Sequence, residues 1–144
     1  MTELGTTTRT TARTTARTWK VRPATVGLWV LQLALAVQFV PAGLMKLTGN
    51  PVMVEMFAEI GAGQWLRFFV GCCEVAGALG LLIPRLAGPA ALGLAGLMAG
   101  ATVTNVFVLG VAPVVPLVVL LVAGVVAWSR RAALRELAAG RIRA

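Results

Sequence analysis

Residues Trp65 to Arg85 read WLRFFVGCCEVAGALGLLIPR, and the fold follows from what this stretch demands of its surroundings. From Trp65 to Ile83 it is apolar over roughly the 20 residues a helix needs to cross a hydrocarbon core about 30 Å thick, and Pro84 with Arg85 closes it. Near its middle stands Glu74. A carboxylate at that depth costs at least about 2.5 kcal/mol on insertion scales, so it must face protein, find a partner or take up a proton. With 100° per residue and Glu74 as origin, Gly71 falls at about 60°, Ala78 at about 40°, Leu81 at about -20° and Arg67 at about 20°. Glu74 therefore shares a small-residue face that admits another helix closely. Cys72 and Cys73 diverge around the helix, build no disulfide framework and read as small apolar side chains.

The rest of the composition agrees. Of 144 residues 58% are hydrophobic and 12% charged, against about 25% charged in an ordinary soluble domain, so the bilayer is the solvent. The net charge of +8 is concentrated outside the apolar runs. Arg9, Arg13, Arg17, Lys20 and Arg22 precede the first run; Arg130, Arg131, Arg135, Arg141 and Arg143 follow the last. Clusters in those places hold their segments on the cytoplasmic side and attract anionic lipid headgroups; they argue against a nucleic-acid interface. The chain has no histidine, which removes the commonest metal ligand and neutral-pH general base, and no metal site is expected.

Three parts follow: a disordered basic Thr/Arg-rich tail over 1–24, a membrane domain over 25–129, and a basic C-terminal tail over 130–144. The first apolar run, from about Val26 to Met45, exceeds the core of a signal peptide and reads as a retained span. It carries Gln32 and Gln38 and ends at Lys46. In TGNPVMVEMFAEIGAG, Asn50 caps and Pro51 opens a short helix. Val52, Met53, Met56, Phe57 and Ile60 form its apolar side and Glu55 and Glu59 lie opposite, so it is expected to lie in the interface. A third run, from about Gly88 to Leu109, carries a ridge of Gly93, Gly96, Gly100 and Thr104, a generic device for packing within or between chains. Asn105 stands near its end. A fourth, the shortest, opens at Pro113 and ends at Trp128. The expected fold is all-α: four transmembrane helices in a bundle, with a short amphipathic interfacial helix between the first and second.

With both termini inside, Lys46, the amphipathic segment, Arg67 and Asn105 gather towards the outer side. The candidate site is therefore Glu74, Lys46, Arg67, Asn105 and Gln38. Lys46 balances the carboxylate, Arg67 holds a polar oxygen of a ligand and Asn105 supplies a hydrogen bond. The same residues admit a plainer role, as charges that lock the helices together.

PAGLMKLTG, the stretch FAEIGAGQWLRFFVGCCEVAGALGLLIPRLAG and GLMAGATVTNVF, in that order and spacing, resemble the DoxX-like family of small bacterial and archaeal membrane proteins. The resemblance covers roughly residues 28 to 128. It implies a four-helix membrane bundle and carries the family's lysine and glutamate onto Lys46 and Glu74. Many relatives have a histidine in the third span, where this chain offers Asn105. The resemblance also implies service in a membrane redox or stress-defence system at the cell membrane. On this reading the protein is an accessory or ligand-binding subunit, an oxidoreductase subunit if it is catalytic at all, with a quinone as the possible cofactor and the lipid bilayer, other membrane redox proteins or a second copy as partners. The alternative is a small-molecule or lipid carrier gated by Glu74.

Overall fold

The computed structural model describes residues 23–139; the tail expected over 1–24 therefore lies outside the described residues as far as position 22. Among the described residues the chain is all-helical: α1 (Pro23–Leu47), α2 (Pro51–Ile60), α3 (Gln64–Leu82), α4 (Ala87–Phe107), α5 (Val114–Ser129) and α6 (Arg131–Ala138). Helices α1, α3 and α4 are long and apolar enough to cross a membrane. Helix α5 has 16 residues, or about 24 Å at 1.5 Å per residue, short of a full hydrocarbon core.

Local chemistry explains the breaks. The side chain of Asn50 accepts from the Val52 amide at 3.1 Å with Pro51 at the first position of α2, and Gly61, at φ 74°, ends that helix in the left-handed conformation glycine tolerates. Only three residues then separate α2 from α3. Pro84 and Arg85 occupy the turn before α4.

Helices α1 and α3 pack along one another, α4 and α5 do the same, and α3 joins the two pairs through α4. Leu35, Ala36 and Phe39 of α1, Ala78 and Leu81 of α3, Leu94 and Met98 of α4 and Val126 of α5 form the core. Two close approaches set the spacing. A Cβ on Gly43 would come within 2.9 Å of the Gly71 carbonyl oxygen, and one on Gly77 within 2.6 Å of Leu94, so neither crossing has room for a methyl group. The large apolar side chains left outside, such as Val37, Leu79, Leu92 and Leu121, are exposed, as expected of surfaces solvated by lipid.

The α4 ridge departs from expectation. A Cβ built on Gly93, Gly96 or Gly100 meets nothing within 4 Å, so none of the described helices packs there. Gly96, Gly100 and Thr104 instead border a cavity. The missing side chains make open space.

Candidate functional site

The crossing of α1 and α3 at Gly43 and Gly71 brings Lys46 opposite Glu74. The two helices run antiparallel, so Glu74 packs over Gly43 and Lys46 over Gly71, their Cβ atoms 3.2 Å and 3.1 Å from where a Cβ on those glycines would stand, and the long lysine side chain spans the remaining turn to the carboxylate. The Lys46 Nζ donates to both carboxylate oxygens of Glu74, at 3.0 Å to Oε1 and 2.9 Å to Oε2, and reaches the Ala42 carbonyl at 3.4 Å. Both side chains are largely sequestered, with 13% and 4% of their surfaces exposed. A pair in this position is an electrically neutral dipole, whereas either member alone would be a stranded charge.

Beside the pair lies a cavity of about 530 Å³ bounded by α1 to α5, within the size range of small-molecule sites. Its wall is mostly apolar, from Phe39, Met53, Met56, Phe57, Phe69, Leu97 and others. Its polar groups are Lys46, Glu74, Gln38, Thr104 and Asn105. The Thr104 hydroxyl is committed to the Gly100 carbonyl at 3.0 Å. The two amides and the ion pair are left to define the cavity's chemistry: NH donors from Gln38 and Asn105, an ammonium, and carbonyl and carboxylate acceptors.

Four of the five candidates thus border one cavity. Arg67 does not. It is buried, but its Nε donates to Gln64 Oε1 at 2.7 Å, its Nη1 donates to the Lys46 backbone carbonyl, and its guanidinium lies 4.2 Å from the centre of the Phe68 ring. The expected hold on a ligand oxygen is corrected accordingly: Arg67 closes the C-terminal end of α1, where free carbonyls and the helix dipole both favour a cation. By fixing the Lys46 backbone it fixes the base of the ion pair. The physical reason is axial level. Arg67 and Glu74 point the same way but stand seven residues, about 10.5 Å, apart.

Gln64, not singled out in the sequence, completes this brace. Its Nε2 donates to the Val54 carbonyl at 3.1 Å, so one amide ties α2 to the Arg67 guanidinium and through it to α1. A polar residue at the first position of α3 was the only signal. A second unforeseen polar contact lies at the opposite end of the bundle. Gln32 is fully buried, and its Oε1 accepts from Arg130 at 3.4 Å, while Gln32 Nε2 and Arg130 Nε have no partner among the described residues. Cys72 is exposed and Cys73 half-buried; neither borders the cavity. Among the described residues, no group of three or more His, Cys, Asp or Glu side chains could hold a metal ion.

The sequence model of the DoxX-like family matches residues 30–128, which include all five helices around the cavity except the first seven residues of α1 and the last residue of α5. No curated protein and no solved structure matches the chain.

Proposed function

The chain belongs to the DoxX-like family of membrane proteins, and from that premise and the geometry of the cavity we propose that it is a ligand-binding or accessory subunit of a membrane redox or stress-defence system. The observation that carries the reading is the placement of the Lys46–Glu74 pair on the wall of an otherwise apolar cavity. Charges that serve only to lock two helices are best surrounded on every side; here the pair is left facing a space large enough for a ring-sized headgroup.

A quinone headgroup fits this donor set. Its two carbonyl oxygens need donors, and the cavity offers the Gln38 and Asn105 amides, with aromatic and methionine side chains to contact the ring faces. A quinone bound there would supply reversible two-electron storage. The chain's own residues would orient the head, exclude water and keep the carboxylate of Glu74 neutralised.

In the membrane arrangement we propose, α5 crosses together with its flanking residues, giving four crossings with both termini on the cytoplasmic side of the cell membrane. The support is the basic character of both ends and the Arg130–Arg131 pair beside Trp128, over whose ring the Arg131 guanidinium lies at 4.8 Å. In that arrangement α2 lies along the outer interface and roofs the cavity through Met53, Met56 and Phe57.

The test is purification in a gentle detergent, followed by mass spectrometry of the extracted lipids and small molecules from wild type, Gly96→Leu and Glu74→Gln. Gly96→Leu projects a side chain into open space, so it fills the cavity without displacing a helix. A compound present in wild type and absent from a folded Gly96→Leu protein supports the reading. Identical extracts from all three would discard it in favour of an ion pair that serves the bundle alone.

A further inference from the structure

Besides the cavity, the surface carries an apolar groove of about 370 Å³ between α1 and α5. Ala34, Leu35 and Gln38 form one wall, and the other is a run of α5 valines that includes Val114, Val118 and Val122. Gln38, Val115 and Val119 border the groove and the cavity alike. The two spaces are therefore neighbours separated by three side chains. Helices α1 and α5 touch far more sparsely than α1 and α3 or α4 and α5, and the short valine side chains leave the seam open.

Resting on the reading of the cavity as a ligand site, we infer that this groove is its lateral opening to the bilayer, and that it holds the single apolar tail of a neutral amphipathic molecule whose polar head lies at Lys46 and Glu74. Three observations combine. The groove and the cavity meet, so a molecule can lie in both. Gln38 stands at the meeting point in the middle of α1, exposed. An amide without a partner is costly in hydrocarbon, and a head group passing or seated there meets it. Finally, the ion pair sums to no net charge, and a charged head would add an uncompensated charge to a low-dielectric wall. Hydroxyl or carbonyl heads satisfy the site; carboxylates, phosphates and ammonium groups do not.

The experiment uses the full chain in phosphatidylcholine nanodiscs and two photoactivatable probes. One is a long-chain primary alcohol with a diazirine near the end of its tail; the other is a short-chain alcohol bearing the same group. Labelled peptides are identified by mass spectrometry. The long probe is expected to label the segment 114–122 in a manner suppressed by excess unlabelled long-chain alcohol, and the short probe to label the cavity wall on α4. Val118→Trp should lower long-probe labelling of the groove about tenfold, equivalent to a tenfold weaker affinity, and leave short-probe labelling of the cavity unchanged. Ala34→Phe, from the facing wall, should do the same, so the result does not hang on one variant folding. Groove labelling that no competitor suppresses, equal to that of the exposed Leu79 and Leu82 face of α3, would mean bulk lipid only and would overturn the inference while the cavity reading stands. Failure of the short probe to label the cavity wall on α4 would remove both.

Discussion

Alanine substitution at two glycines should have opposite effects on the same protein. At Gly43 the new Cβ would lie 2.7 Å from Val75 Cγ2, 2.9 Å from the Gly71 carbonyl oxygen and 3.2 Å from Glu74 Cβ. Val75 can rotate away; a helix carbonyl cannot. Ordinary contact begins near 3.4 Å, so α1 and α3 must separate by about 0.5 Å at their crossing. Overpacking of this kind costs about 1–3 kcal/mol. It also stretches the Lys46–Glu74 bonds from 2.9–3.0 Å to the limit of hydrogen-bond geometry, eroding contacts worth about 1.5–3 kcal/mol when charged. Alanine in place of glycine returns about 1 kcal/mol of helix propensity. The net expectation is a loss of about 1–3 kcal/mol. At Gly100, where nothing lies within 4 Å, only the propensity remains and the protein gains up to about 1 kcal/mol. Reversible unfolding in mixed micelles with increasing dodecyl sulfate, followed by far-UV circular dichroism, measures both. Equal stability of Gly43→Ala and Gly100→Ala would refute the assignment of one glycine to a helix crossing and the other to open space.

Four further outcomes are expected. Lys46→Met alone should cost about 3–5 kcal/mol by stranding Glu74, and the double variant Lys46→Met, Glu74→Gln should recover a large part of it; a double variant as unstable as the single one in the same unfolding assay would contradict the pairing. Arg67→Lys should lose about 1–2 kcal/mol, because an ammonium cannot reach Gln64 Oε1 and the Lys46 carbonyl together, yet leave the copurifying compound in place, since Arg67 does not border the cavity; loss of the compound from a folded variant would assign it a direct role. Gln32→Leu removes the unpartnered Nε2 but also the Oε1 that accepts from Arg130 at 3.4 Å, so stability should fall by about 1–3 kcal/mol as the guanidinium loses its acceptor, and unchanged stability would show that this contact contributes nothing. In a background with Cys72 and Cys73 replaced by serine, single cysteines near either terminus should react with a membrane-impermeant maleimide only after the membrane is opened; reaction at one end in intact cells would break the four-crossing arrangement.

Much of this architecture is written into azimuth. Glu74, Gly71, Ala78 and Leu81 lie on one face by periodicity, and all four are buried, so the inward glutamate and its close helix partner were legible from Trp65–Arg85. Axial level was not. A helical wheel superposes Arg67 on Glu74, but the two turns between them decide that the guanidinium meets the end of α1 rather than the carboxylate. The α4 glycines mislead for a different reason: spacings of three and four describe a ridge equally well whether a neighbour fills it or a void does. Gln32 and Arg130 are 98 residues apart in sequence, and neither polarity nor spacing links them before the chain folds.

The division between the two sets of glycines has a consequence for how such a protein can change over generations. Gly43 and Gly77 have no room for a methyl group and Gly71 has little, so the crossings that hold the molecule's shape are constrained at those points. Gly96 and Gly100 face emptiness and sit on another helix. Descendants can trim or widen the chamber there one side chain at a time while the Lys46–Glu74 seam stays as it is.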